Sequence, residues 1–308
     1  MNINDKHIYV YILVVLLIVS IGYYFHKGSP VKTEEITETE NPLKDARTIR
    51  VATVGDNAFK EIKLFQPTAD YIAARLSDDQ TVYKGEVIVA KNIETISNIS
   101  QEQKLDLYID SPFPTIIVSR KSGMVPFLRR WKNGEAQYHT VFIVKNGSSI
   151  NSTNDFHGKT IASEDEGSTT SYLMPRAYLI QKGFNVDRIG ENPIKFVFTG
   201  GKENTPLWVI EGKADIGAVS NLEFEKIPGN IKTELRIIER TVDLPRHIVS
   251  HRSGMEPATV EKIQKILIDM DRDVEGIEIL KNFQNTKKYD TISMDEINDT
   301  GKIVDLLE

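Results

Sequence analysis

The apolar positions of this chain fall into three regimes. The first is an uncharged, mostly apolar run from Ile8 to Phe25, set between Lys6 and the His26-Lys27 pair. At a helical rise of about 1.5 Å per residue such a run nearly crosses the hydrocarbon core of a bilayer. No small-residue cleavage site of the Ala-x-Ala kind accompanies it, so residues 1–27 are expected to form an N-terminal transmembrane helix, an uncleaved anchor in preference to a removed signal sequence. Its flanking charge is too balanced to set an orientation by the positive-inside rule. The second regime, residues 28–47, lacks apolar periodicity, is rich in Glu and Thr, and reads as a polar linker.

From Thr48 onward, short β-branched runs alternate with amphipathic stretches. Ile49 to Val54, Glu86 to Ala90 and Leu105 to Ile109 are strand-like, whereas Pro67 to Leu76 and Ile93 to Gln103 carry helical spacing. A second series supplies strands at Thr140 to Val144, Thr160 to Ala162, Lys195 to Phe198 and Ile216 to Val219, with a helix from Ser171 to Lys182 closed by Gly183. Last come a strand at His247 to Ser250 and a helix face made of Val260, Ile263, Leu267, Met270 and Val274. Strands and helices alternating at this spacing need crossover connections, which predicts an α/β fold of mostly parallel sheets flanked by helices.

Composition narrows what such a fold does. The 308 residues are 40% hydrophobic and 27% charged, enough ordinary globular chain for two lobes. A formal charge of -6 argues against a nucleic-acid partner, because duplex binding rests on Lys and Arg neutralising phosphates. The basic cluster Arg129-Arg130-Trp131-Lys132 reads as a solvated loop. Cysteine is absent, which removes disulfides, thiolate metal sites, cysteine nucleophiles and the lipidated cysteine that anchors many bacterial binding proteins.

Nor do the histidines converge. His7 and His26 flank the apolar run, His139 and His157 stand alone, and His247 and His251, four apart in a strand, are separated by about 13 Å, too far for one metal. Phosphate-loop, Gly-x-Gly-x-x-Gly and His-Glu-x-x-His patterns do not occur. The chain is therefore expected to be no enzyme and to need no metal or cofactor.

The stretch that carries chemistry is Gly158 to Pro175 (GKTIASEDEGSTTSYLMP): a short strand, a loop through Gly167, then hydroxyl residues opening a helix. First-turn helix amides lack internal partners and sit at the positive end of the dipole, so they offer donors to an oxyanion. Ser168, Thr169 and Thr170 add hydroxyls, although any one of them could equally be an N-cap.

In its context this stretch resembles the phosphate, phosphite and phosphonate binding proteins of ABC importers. Tyr138-x-Thr140-Val-Phe-Ile-Val and Ile150-Asn-Ser-Thr-Asn-Asp-Phe-His-Gly158-Lys159 are similar to the family's "Y-x-S-x-I-x-V... I-x-S-L-x-D-L-x-G-K" passage. Gly167-Ser-Thr-Thr-Ser-Tyr-Leu-Met-Pro175 is similar to its "S-T-S-G-Y-L-x-P" loop, and Gly212-Lys-Ala-Asp-Ile-Gly-Ala-Val219 to its "G-x-V-D-x-G-A-V" strand. More loosely, Leu105-Asp-Leu-Tyr-Ile-Asp110-Ser-Pro112 matches its "D-V-A-x-Y-G-P" strand end. The likeness runs from about Ile49 to Tyr289.

This resemblance implies a two-lobe type II periplasmic-binding-protein fold with ligand held between the lobes. The chain would cross near Gln137 to Thr140 and near Glu239 to His247, making residues 48–138 plus 245–308 lobe 1 and residues 139–244 lobe 2. It also implies an extracytoplasmic binding protein for a small phosphorus oxyanion. The partner would be the membrane permease of an ABC importer or, alternatively, a kinase or cyclase that senses lobe closure.

Carried over residue by residue, Ser168, Thr169, Thr170 and Ser171 would form the grip on the anion. Lys202 stands where the family has a donating His, which keeps the sign of the interaction. Arg246 lies about where aminophosphonate binders carry an Asp, and an Arg there favours a second negative charge over an amine; after a one-residue slip His247 is the counterpart instead. Asp110 replaces an aromatic at a strand end, where it could touch ligand, pair with Arg246, or cap its own loop. Leu222, or Glu223 after a slip, takes the place of an amine-binding Glu, and Asp215 reads as a turn residue.

Overall fold

The computed structural model describes residues 45–186 and 191–307. The apolar run 8–25 lies outside them, and among the described residues no helix is long and apolar enough to cross a membrane. Two sheets organise the rest.

The first sheet contains β1 (Asp45–Val54), β2 (Thr81–Ala90), β3 (Leu107–Asp110), β4 (Val125–Arg130), β12 (His247–His251) and β13 (Tyr289–Thr291), in the order β13-β4-β12-β3-β1-β2. The second contains β6 (Thr140–Lys145), β7 (Thr160–Ser163), β8 (Lys195–Phe198), β9 (Ile216–Ser220) and β10 (Leu235–Arg240), in the order β10-β6-β9-β7-β8. Between them β5 (Gln137–Tyr138) pairs antiparallel with β11 (Leu244–Pro245), so the two connections run side by side.

The sheets are mixed rather than mostly parallel. β1 runs parallel to β2 and β3, but β12 is antiparallel to both β3 and β4, and β13 to β4. In the second sheet β7 is parallel to β8 and β9, while β6 is antiparallel to β9 and β10. The reason is chain path: β12 arrives from the second sheet and inserts between β3 and β4 against their direction, a pairing between segments far apart in sequence.

Helices cover both sheets. α1 (Ala58–Leu76) starts nine residues before the proline that marks its expected beginning, with Pro67 inside it. A mid-helix proline forfeits one backbone bond, and tertiary packing offsets that loss here: Phe65 is buried edge-to-face on Phe283. Its close approach to β2 needs Gly85, since a Cβ there would lie 2.5 Å from the Ala69 carbonyl carbon.

The expected apolar face from Val260 to Val274 breaks into α8 (Pro257–Ile268), a tight turn at Asp269–Arg272, and α9 (Val274–Asn282). Asp273 ends the first run by capping the second: it accepts from the Gly276 amide at 3.3 Å and the Tyr71 hydroxyl at 2.9 Å, and pairs with Arg75. Val274 consequently falls outside the core, 85% exposed, while Ile263, Leu267 and Met270 pack with Val51, Ile72 and Leu107 under the first sheet. A separate core of Phe142, Phe156, Ile161, Leu179 and Ile216 supports the second.

Candidate functional site: a cleft between the sheets

Parallel strands followed by helices put strand carboxyl ends and helix amino ends at one edge of a sheet, and the two sheets here turn those edges toward a shared cleft of about 1120 Å³. β1 ends at Val54, β3 at Asp110 and β9 at Ser220, all three on its walls. Helix heads follow. Asn92, which also lines the cleft, caps α2 (Ile93–Gln101) by accepting from the Thr95 amide at 2.8 Å. Ser111 stands at the N-cap of α3 (Pro112–Ser122), and Ser220 caps α6 (Asn221–Lys226). Converging helix N-termini favour negative charge in the cleft even though the whole chain is acidic.

The hydroxyl loop lies on the second-sheet wall. Ser168 is the N-cap, its Oγ accepting from the Ser171 amide at 3.3 Å. A wide π turn follows over Thr169–Leu173, in which the amides of Tyr172 and Leu173 both reach the Ser168 carbonyl, at 3.1 and 3.0 Å. It runs directly into α4 (Met174–Gln181). The amides of Thr169 and Thr170 stand ahead of those bonds, where a helix has no internal acceptor for them.

Thr169 Oγ1 donates to Ser111 Oγ at 3.1 Å, so hydroxyls at the heads of two helices from different sheets meet across the cleft. Thr170 also lines the cleft, its carbonyl held by Thr140 Oγ1 at 2.6 Å. Ser171 is not among the lining residues. Its Oγ donates to the Ala218 carbonyl at 2.7 Å and accepts from the Glu164 amide at 2.7 Å, while its own carbonyl accepts from Ser163 Oγ at 2.6 Å. Ser171 thus fastens the helix head to β7 and β9, a duty invisible in a row of hydroxyl residues.

The facing wall carries charge. Asp110 accepts from the Ser111 amide at 2.6 Å, Ser111 Oγ at 3.2 Å, the Tyr108 hydroxyl at 3.0 Å and the Val54 amide at 3.3 Å. Its oxygens tie β1 and β3 to the head of α3, and these donors, rather than Arg246, are its partners. Burial pushes its carboxyl up from the usual range, against the pull of those hydrogen bonds and of Lys132.

Arg246 is buried with its guanidinium 4.4 Å from the Tyr138 ring centroid, and its Nε donates to the Lys132 carbonyl at 3.3 Å. Tyr138 lines the cleft with Thr169 and Arg246, and burial pushes its hydroxyl up to about 12. His247 places Nε2 3.2 Å from Lys132 Nζ, while its Nδ1 is buried without a partner. Burial first, and the neighbouring cations after it, hold this imidazole well below its ordinary value and therefore neutral. Lys202 sits at the mouth, its side chain 46% exposed and Nζ 3.6 Å from Glu223 Oε1.

The largest departure from the sequence reading is the basic cluster. Arg129 and Arg130 belong to β4, not to a solvated loop. Arg129 makes a two-pronged pair with Asp290 at 3.0 and 2.9 Å and a further pair with Glu296 at 2.7 Å. Arg130 is 0% exposed, stacked 3.5 Å from the Phe283 ring centroid, and donates to Thr286 Oγ1, the Phe283 carbonyl and Gln284 Oε1 at 2.9, 3.0 and 2.9 Å. The available signal was period two: Leu128 and Arg130 share the buried face of β4.

Lys132, just past this strand, lines the cleft beside Asp110, Arg246 and His247. Burial, then Arg130 and Arg246, lower its amine to about 7. Ser111 and Tyr138 are further cleft residues that local pattern did not mark. Of the paired alternatives, Glu223 lines the cleft while Leu222 packs against a hydrophobic cluster. Asp215 accepts from the Thr160 amide at 2.9 Å and joins the beginning of β7 to the approach of β9, a structural tie. Glu164, Asp165 and Glu166 add carboxylates to the second-sheet rim, and burial raises Glu164.

Comparison with known proteins agrees with this architecture. A family model described as "ABC transporter, phosphonate, periplasmic substrate-binding protein" matches residues 57–297. The phosphate-import protein PhnD of Mycolicibacterium smegmatis is 23% identical over 216 residues, 66% of this chain and 67% of that one. Among solved structures, XAC2383 from Xanthomonas citri bound to chloride ion superposes with a TM-score of 0.77 at 22% identity, over 84% of this chain and 97% of that one. PhnD1 from Prochlorococcus marinus in complex with methylphosphonate gives a TM-score of 0.63 at 18% identity, over 84% and 98%.

Proposed function

The chain belongs to the periplasmic substrate-binding proteins of phosphonate ABC transporters, and on that premise we propose that its cleft holds a small phosphorus oxyanion, phosphonate, phosphite or phosphate, for delivery to an ABC permease. Members of the family bind substrate outside the cytoplasm and do not transform it, so what needs explaining is recognition and release.

The supporting observation is the Thr169–Ser111 hydroxyl contact of 3.1 Å between two helix heads. An oxyanion entering there exchanges one weak hydroxyl–hydroxyl bond for donors from both walls. Ser168, Thr169 and Thr170 with their first-turn amides grip from one side, and Ser111 and the α3 head answer from the other. Arg246 supplies fixed positive charge at the floor and Lys202 at the mouth. Residues 48–138 with 245–308 act as one lobe and 139–244 as the other, drawn together about the β5·β11 ribbon as the ligand bridges them. Tethering through the apolar run 8–25 belongs to the same reading and rests on the sequence; membrane fractionation of the full chain tests it.

A thermal-shift screen of residues 44–308, which form one compact unit, tests the ligand assignment against phosphate, phosphite, methylphosphonate, aminoethylphosphonate, sulfate and carboxylates. At a hundred times the dissociation constant, binding adds about 2.7 kcal/mol of stability. A phosphorus oxyanion should raise the melting temperature where carboxylates do not. Replacing Thr169 and Thr170 by Ala should cut that stabilisation to about 0.4 kcal/mol at the same ligand concentration and leave the empty protein folded; unchanged affinity refutes the assignment.

A further inference from the structure

Lys132 is unusual among the residues around the cleft in what surrounds its amine. From its own strand end comes Arg130, from the connection between β11 and β12 comes Arg246, and from the first residue of β12 comes His247. From the end of β3 comes Asp110, and from across the cleft Lys202. The neighbouring carboxylates are already engaged: Asp110 accepts from four donors, and Glu223 lies 3.6 Å from Lys202 and 3.5 Å from Lys226. Glu164 stands on the opposite rim, and Glu135 and Glu223 act on Arg246. Three guanidinium or ammonium groups therefore face this half-buried amine against one committed carboxylate. Its hydrogen-bond partner is the neutral imidazole of His247, 3.2 Å away.

We propose that Lys132, paired with His247, is the charge-determining residue of the cleft: it takes up a proton as the oxyanion head enters, so that a dianion is held more tightly than a monoanion of the same shape. This rests on the oxyanion reading above and names how that site reads charge. With the cleft empty, the surrounding cations and the loss of solvent disfavour the ammonium, consistent with an amine lowered to about 7. Two negative charges placed among Arg246, Lys132 and the Thr169 loop reverse that balance and draw the proton on. His247 accepts from the resulting ammonium through Nε2, which puts the imidazole proton on the buried Nδ1 and leaves the other ammonium hydrogens for the ligand. A monoanion repays less of the same cost. Selectivity between charge states then comes from an adjustable proton, whereas the neutral donors opposite are indifferent to it.

The test uses methylphosphonate and inorganic phosphate as probes, by calorimetry in buffers of different ionisation enthalpy, on the wild type and on Lys132→Arg. Arginine keeps the charge and does not titrate. The probe's own protonation cancels when the two proteins are compared. At pH 8 the wild type should take up close to one more proton than the variant, and its affinity should fall relative to the variant by up to about tenfold per pH unit above pH 7. Equal proton uptake in two proteins that both bind overturns the proposal.

A second measurement needs no ligand. In the empty protein carrying ¹³C-methylated lysines, the resonance missing from Lys132→Arg should titrate near pH 7; a midpoint near 10 overturns the proposal whatever binds. A midpoint near 7 together with no binding of either probe or of phosphite overturns the oxyanion reading, and with it the coupling, while leaving the amine's environment established.

Discussion

The two walls of the cleft solve one electrostatic problem by different means. On the second-sheet side, apart from half-exposed Lys202 at the mouth, the donors are neutral: the hydroxyls and amides of Ser168, Thr169 and Thr170, fixed by a π turn and by Ser171 at its back. On the first-sheet side they are ionic and crowded, with Lys132 and Arg246, beside the neutral His247, over a buried Arg130. Neutral dipoles at a helix head hold their orientation at any pH and carry little desolvation penalty. Clustered charges attract more strongly but destabilise one another, and part of that repulsion is relieved by losing a proton. On the proposed reading, geometry is assigned to one wall and charge discrimination to the other.

The comparison breaks most visibly if Arg130 is removed. Arg130→Ala should cost about 3 kcal/mol of stability in a denaturant melt, because it opens a cavity against Phe283 and strands the Thr286, Gln284 and Phe283 acceptors. Arg130→Met, apolar and of similar length, should restore most of that loss. A neutral Ala variant would show that the ionic wall has no rigid backing.

Next in size is the neutral wall. Thr169→Ala with Thr170→Ala should weaken oxyanion binding about a hundredfold, roughly 2.7 kcal/mol for two donors to a charged group, with no change in the pH dependence of what binding remains. Arg246→Met should cost about tenfold in affinity and little in stability, since Tyr138 keeps an apolar neighbour; calorimetry reads both. Lys202→Ala should change affinity less than about threefold, because its ammonium is half exposed and lies 3.6 Å from Glu223.

A pH series sharpens the contrast through opposite signs. The Lys132 amine is lowered from 10.5 in the unfolded chain to about 7 in the folded, empty protein. Between those values the unfolded state binds more protons, so the stability of the empty protein due to this group rises as pH rises from 7 to 10.5. Ligand affinity should fall over the same interval. Melting curves of the wild type against Lys132→Met check the first trend, and parallel rather than opposed trends would separate Lys132 from the ligand.

Much of the fold was legible because it depends on local period. β-branched runs located β6, β8, β9 and β12 to within a residue or so, and the hydroxyl run beginning at Ser168 does open a helix. Misreadings share a cause, which is that a partner distant in the chain overrode a local preference. Pro67 stays inside a helix because Phe65 packs on Phe283, and Asp273 splits a continuous apolar face because Tyr71 and Arg75 meet it there. The pair Arg129 and Arg130 looked solvated because its acceptors lie some 150 residues further on, at Asp290, Glu296, Gln284 and Thr286.

By itself, then, the order of residues determined that this is an α/β chain with a hydroxyl-rich loop opening a helix, since period, capping and loop chemistry act over a few neighbouring residues, and its motifs carried the resemblance to the phosphonate-transporter binding proteins. Only the tertiary structure decided that Ser171 braces that loop while Ser111 faces it, that Asp110 is occupied by its own strand ends, and that Lys132 joins Arg246 and His247 at the floor. Those outcomes depend on which surfaces two mixed sheets bring within about 3 Å of each other. Burial and Coulomb energy are properties of that arrangement, and no stretch of sequence contains both sides of it.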